Sequence, residues 1–212
     1  MVKYRQIIIF LVSLFLATSC GSYSRILEKV YKNDQGARQW CLKMNELSPD
    51  ELIESSAFME KTDSINQNIV SSILDKEGWP ANITKKANQA IWIVIDHADS
   101  DYQLKYMDIV QDQANLGNVS KSDYAVLYDR LMKNLGKPQK YGTQIHTAIL
   151  IVGETMTDST YLWPVEDGEH LDSLRRSVGL PTIQDYFHVV KESTGLNVIW
   201  DKDKTVADFL GQ

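Results

Sequence analysis

The chain has 212 residues, 43% of them hydrophobic, with a formal net charge of −6. That length supports a folded core. The acidic balance argues against binding nucleic acid or anionic headgroups through bulk charge.

The first stretch bears on compartment. Lys3 and Arg5 are followed by an apolar run, Ile7 to Ala17, and then by Ala17-Thr18-Ser19-Cys20. Charge, apolar core and small residues in that order form a secretory leader. The run is shorter than the ~20 apolar residues a membrane-spanning helix needs. A cysteine directly after the small residues resembles the bacterial lipobox, so Cys20 is the expected lipidation site. Leu16 stands one place further from Cys20 than the usual pattern puts it. Cleavage removes 19 residues and two positive charges, leaving 193 residues at a net charge of −8. Residues 20–24 then form a lipidated tether, and 25–212 a single mainly helical domain. With Cys20 acylated, Cys41 has no disulfide partner and reads as a buried structural thiol.

Helical spacing predicts a first helix over 25–46, with Ile26, Leu27, Val30 and Tyr31 on one face. Ser48-Pro49-Asp50-Glu51 is a capping box with proline in the first turn, opening a helix over about 49–76 with a break near 60. Gly78-Trp79-Pro80 stops it. Asn82 is the expected cap of a helix over 83–98, apolar all round at Ala90 to Ile95 and so central to a core. Ser100 with Gln103, and Ser120 with Asp123, open helices to about 115 and 135. The β-branched stretch Thr143 to Val152, followed by Tyr161-Leu162-Trp163, predicts a hairpin. Helix returns over 171–177 and 182–193, and 196–200 suits a last short strand. The fold class is mainly α (α+β): a bundle of five or six helices with a small β-hairpin near the C-terminal third.

Polar residues concentrate at element ends, where function tends to be placed. His97-Ala98-Asp99 lies at the end of the most apolar helix, and His97 and Asp99 are the candidate catalytic pair. A histidine capping a helix end is the blander role for the same residues. The spacing of His97, Asp99 and Asp101 across a helix break does not present one face, so no metal is expected. Asp129 and Arg130 point about 100° apart on a helix and must reach other elements. Arg130 is a candidate anion clamp, with a buried ion pair as the alternative. Gln139-Lys140-Tyr141-Gly142-Thr143-Gln144 is either a ligand-binding rim or a polar turn locking the hairpin. Asp172 with Arg175 and Arg176 has the spacing of a surface helix pair.

Asp34-Gln35 with Arg38, Gly78-Trp79-Pro80, His97-Ala98-Asp99, Asp129-Arg130, Gln139-x-Tyr141-Gly142-Thr143-Gln144, Pro164 with Asp167, and Arg175-Arg176 with Gly179-Leu180 run in that order. The set resembles a family of bacterial proteins that is a domain of unknown function, over about residues 30–186. The family usually has Gln before the His, where this chain has Asp96. The resemblance implies one integrated domain and no particular activity. It adds Asp34 and Arg38 to Arg130, Gln139, Tyr141, Thr143 and Gln144 as candidate ligand-binding residues.

The sequence has no nucleophile elbow, P-loop, dinucleotide fingerprint or HExxH. No cofactor is indicated. The expectation is therefore a lipid-anchored, non-catalytic module of the bacterial cell envelope, facing the periplasm, that binds a protein, peptide or glycan and no nucleic acid. The alternative is an envelope hydrolase with His97 as general base, assisted by Asp99, Arg130 and Gln144.

Overall fold

The computed structural model describes the backbone of residues 2–41, 47–152 and 155–210, with side chains at 21–40, 47–148 and 159–210. The chain divides into two compact units, Met1–Asp99 and Ser100–Gln212.

The first unit holds three helices: α1 (Val2–Cys41), α2 (Pro49–Glu77) and α3 (Lys85–Asp96). α2 begins at the capping box expected. Ser48 Oγ accepts from the Glu51 backbone N–H, and the Glu51 carboxylate accepts from the Ser48 N–H at 2.8 Å. It runs unbroken through residue 60 and ends at Gly78, whose φ of 70° is one an L side chain rarely adopts. α3 is capped by Thr84, not Asn82: Thr84 Oγ1 accepts from Ala87 N–H at 3.1 Å. Asn82 sits just before, at φ 58°.

α1 packs against α2 and α3 around Leu27, Val30, Ala37, Val70, Ile73, Leu74, Ala90, Ile91, Val94 and Ile95, all buried. Burial of such side chains contributes about 1.5–3 kcal/mol each relative to exposure. Residues 21–24, expected as a tether, are helical. Ser24 Oγ accepts from the Thr84 N–H, and Thr84 Oγ1 donates to Glu28 at 2.6 Å. Trp79 of the Gly-Trp-Pro turn donates its indole N–H to the buried Asn88 at 2.7 Å.

The second unit begins with α4 (Ser100–Leu116) and α5 (Lys121–Asn134), a packed pair. Ser120 caps α5 through the Asp123 N–H at 2.9 Å. Strands β1 (Ile145–Val152) and β2 (Thr155–Leu162) form an antiparallel hairpin in which Ile145 faces Leu162 and Val152 faces Thr155. α6 (Leu171–Ser177) and α7 (Ile183–Thr194) follow. β3 (Val198–Ile199) then adds in parallel to β2, and α8 (Ala207–Leu210) ends the described chain. Leu162, Leu171 and Ile183 form the core between sheet and helices.

The expected five or six helices are therefore corrected to eight among the described residues, and the hairpin to a three-stranded mixed sheet. The stretches at 171–177 and 183–194 are helices in their own right, and α7 is capped by Thr182 through the Asp185 N–H. α8 has only four residues, too few for a helical period to register. It is fixed by Asp208 accepting from the Thr205 N–H at 2.7 Å and by Phe209 against Trp163, Tyr161 and His146. Among the described residues no helix is long and apolar enough to cross a membrane.

Candidate functional site

All three helices of the first unit contribute to one polar cluster. His97 is the residue at which α3 ends, and its N–H closes the last turn on Ile93 O at 3.0 Å. Its imidazole Nδ1 lies 3.1 Å from Asp34 Oδ1 on α1. The Asp34 side chain is 1% exposed, so its charge is tolerable only if donors surround it. They do. Arg38, one turn along α1, donates to Oδ1 at 2.8 Å, and Gln35 donates to Oδ2 at 2.9 Å. Arg38 then spreads its fork over Asp63 on α2, at 3.0 and 3.1 Å. Bidentate guanidinium–carboxylate pairing fixes orientation as well as supplying energy.

An ionised carboxylate accepts and does not donate, so the proton at Nδ1 belongs to His97. That assignment leaves Nε2 as the acceptor nitrogen of the neutral ring. Nε2 lies 4.0 Å from Asp96 Oδ2, a second buried carboxylate, and the imidazole retains 22% exposure. A ring oriented at Nδ1 by a buried carboxylate, and itself still partly exposed, is a geometry that a general base can use.

The expectation of a purely non-catalytic module is corrected by this cluster. It rested on the absence of contiguous catalytic motifs, whereas Asp34, Arg38, Asp63, Asp96 and His97 are assembled from three separate helices. Asp99, expected as the partner of His97, is exposed beyond the helix end and makes its own interactions. Asp34 takes the orienting place. Asp63 was not singled out from sequence, because nothing marks it apart from other carboxylates on an exposed helix face.

In the second unit the candidate residues of the 139–144 loop converge on Asp129, which is fully buried on α5. Its carboxylate accepts from the N–H groups of Lys140, Tyr141 and Thr143 at 2.8, 3.0 and 3.0 Å, and from the Thr143 hydroxyl at 3.0 Å. Burial pushes its carboxyl above the ordinary value, with these donors acting against the shift. Gln139, also fully buried, donates to Gln144 O and Trp163 O at 2.9 and 2.7 Å and accepts from Gln144 N–H at 2.8 Å. The Gln144 amide donates to Thr143 Oγ1 at 3.2 Å.

Arg175, 1% exposed, reaches the same loop from α6. It donates to Tyr141 O and Gly142 O at 2.8 and 2.9 Å and to Pro181 O at 2.6 Å. Its guanidinium stands 5.1 Å from the centre of the Tyr186 ring, whose hydroxyl donates to Thr143 O at 2.9 Å. Burial holds this guanidinium below its ordinary value. The loop's donors and acceptors are spent on the fold, in the manner of a lock. Arg175 was expected in a surface pair with Asp172. Instead it points inward, and Asp172 accepts from the Ile183 N–H at 2.8 Å. Arg130 is half-buried on α5, where its charge helps burial to hold the Lys133 ammonium below its ordinary value. The side chains of Cys20 and Cys41 lie outside the described residues. Among the described residues no group of three or more His, Cys, Asp or Glu is arranged to hold a metal ion.

No curated protein and no solved structure matches the chain. One family does: its sequence profile, described as a family of unknown function (DUF6624), matches residues 24–199 and runs through both compact units. The chain belongs to the DUF6624 family.

Proposed function

We propose that this protein is a lipid-anchored hydrolase of the bacterial cell envelope, with His97 as general base and Asp34 as the group that orients it. The observation that carries the proposal is the 3.1 Å contact between His97 Nδ1 and the buried Asp34 carboxylate, itself held by Arg38. In this reading Nε2 of His97 takes a proton from a water molecule, and the water oxygen bonds to an acyl carbon of the substrate. As the bond from that carbon to the leaving oxygen or nitrogen breaks, the proton passes from the imidazolium to the leaving atom. General-base assistance of this kind contributes about 10²–10⁴-fold to rate.

The anchor rests on the leader-like run, the small residues before Cys20 and the cysteine itself. Acylation there would place the folded chain at a membrane, facing the periplasm. Two or more acyl chains hold a protein stably, where one holds only reversibly.

The test uses a panel of p-nitrophenyl esters and p-nitroanilides of short acyl groups with the full-length chain. Native protein is expected to release p-nitrophenol or p-nitroaniline. His97→Gln is expected to lower kcat/KM by about 100-fold or more while melting at nearly the native temperature. Equal turnover by native protein and a folded His97→Gln variant would remove His97 from the chemistry. No turnover of any panel member by native protein would remove the acyl hydrolase.

A further inference from the structure

Asp63 stands on α2, 25 positions from Arg38 in the chain, and takes both arms of the Arg38 fork: Nη1 donates to Oδ1 at 3.0 Å and Nη2 to Oδ2 at 3.1 Å. The two side chains are 22% and 21% exposed. An ion pair that water reaches contributes little to stability. Its geometry offers a better reason for the pairing.

Arg38 lies one turn from Asp34 on α1, and its Nη1 is 2.8 Å from Asp34 Oδ1. That same oxygen meets His97 Nδ1 at 3.1 Å. One acceptor therefore serves two donors, while Oδ2 accepts from Gln35 at 2.9 Å. A guanidinium beside a carboxylate tends to grip it with two parallel N–H groups. Here Nη2 is turned to Asp63 and Nη1 reaches Asp34. With the fork so engaged, Asp34 Oδ1 stays within reach of the imidazole.

We propose that Asp63 is a positioning residue, which acts through Arg38 to keep the Asp34 carboxylate available to His97 Nδ1. Without the Asp63 charge, Arg38 turns its second arm onto Asp34, the buried carboxylate one turn away, where low dielectric strengthens the attraction. Two-armed pairing draws Oδ1 away from the ring. His97 then loses the acceptor that fixes its Nδ1–H tautomer, and the proton of the neutral ring is shared with Nε2. The effect on rate rests on the reading of His97 as general base. The effect on the tautomer does not.

Long-range ¹H–¹⁵N spectra test it, on the full-length chain with ¹⁵N-labelled histidine at about pH 8, where an ordinary imidazole is neutral. The His97 signals are those missing from His97→Gln. Native His97 is expected in the Nδ1–H form. Asp63→Asn and Asp63→Ser are expected to bring up the Nε2–H form while melting within a few degrees of native. Asp63→Glu, which keeps a carboxylate for the fork, is expected to restore the native pattern. On p-nitrophenyl acetate the two neutral variants are expected to lose about tenfold or more in kcat, the cost of a misplaced base, with KM changed less than about twofold. A native tautomer in folded Asp63→Asn and Asp63→Ser would overturn the proposal, whatever their rates. So would an Nε2–H form in the native protein, or unfolding of both neutral variants, which would assign Asp63 to the fold. A tautomer that shifts as expected in a native protein without turnover would sink the hydrolase and leave the positioning role standing.

Discussion

Asp34 has three donors on two oxygens and almost no access to water. Replacing it with alanine strands His97 and frees one arm of Arg38, which keeps Asp63. The expected cost is about 1–3 kcal/mol, the range for leaving a buried polar group unserved, measurable by urea denaturation. Gly36 gives the opposite sign. With nothing within 4 Å of an added Cβ, Gly36→Ala is expected to stabilise the protein by about 0.5–1 kcal/mol through helix propensity alone. His146 adds a dependence on pH. Burial, and then the Lys133 charge, holds its imidazole below the ordinary value of 6.5. Between the two values the unfolded chain carries a proton there that the folded chain lacks. This contribution to stability is therefore complete above about pH 6.5 and is lost as the pH falls through the lower, folded value. His146→Phe, a ring that suits the contacts with Trp163 and Phe209, is expected to flatten that part of the curve of denaturation midpoint against pH.

The 139–144 loop behaves as an element, although it has no regular structure. Asp129 gathers its N–H groups, Arg175 gathers its carbonyls, and Gln139 ties it to Gln144 and Trp163. Gly142 sits at φ 65°, with Leu171 3.3 Å from where a Cβ would stand. Gly142→Ala therefore meets both backbone strain and crowding, and is expected to cost about 1–3 kcal/mol. A fall in the urea midpoint checks this. Much of this level was legible in the sequence. The Ser48–Glu51 box and Ser120 fixed their helix starts through local hydrogen bonds, and Gly78 ended α2, because caps depend on residues within one turn. The cap at Thr84 was misplaced onto Asn82 because both are good cap residues and only φ distinguishes them. Arg175 was misread because its spacing from Asp172 suits a surface pair, while its partners, Tyr141 and Gly142, are more than thirty positions away. The rim-or-lock alternative for 139–144 turned on contacts no local pattern contains.

At the scale of the whole chain, the family match spans residues 24–199 and begins just after Cys20. If residue 20 carries the acyl groups, palmitate labelling in growing bacteria marks the native protein and not Cys20→Ser. An unlabelled native protein would remove the anchor. The His97 cluster shows why the catalytic reading was subordinate in the sequence: its members are spread from Asp34 to His97, and only folding brings α1, α2 and α3 to one point. The most direct test of that cluster is a double-mutant cycle on p-nitrophenyl acetate hydrolysis, with His97→Gln, Asp34→Asn and the pair. If Asp34 acts through His97, the double variant is no slower than His97→Gln alone. If the two losses multiply, Asp34 and His97 act independently, and the dyad at the centre of this account is wrong.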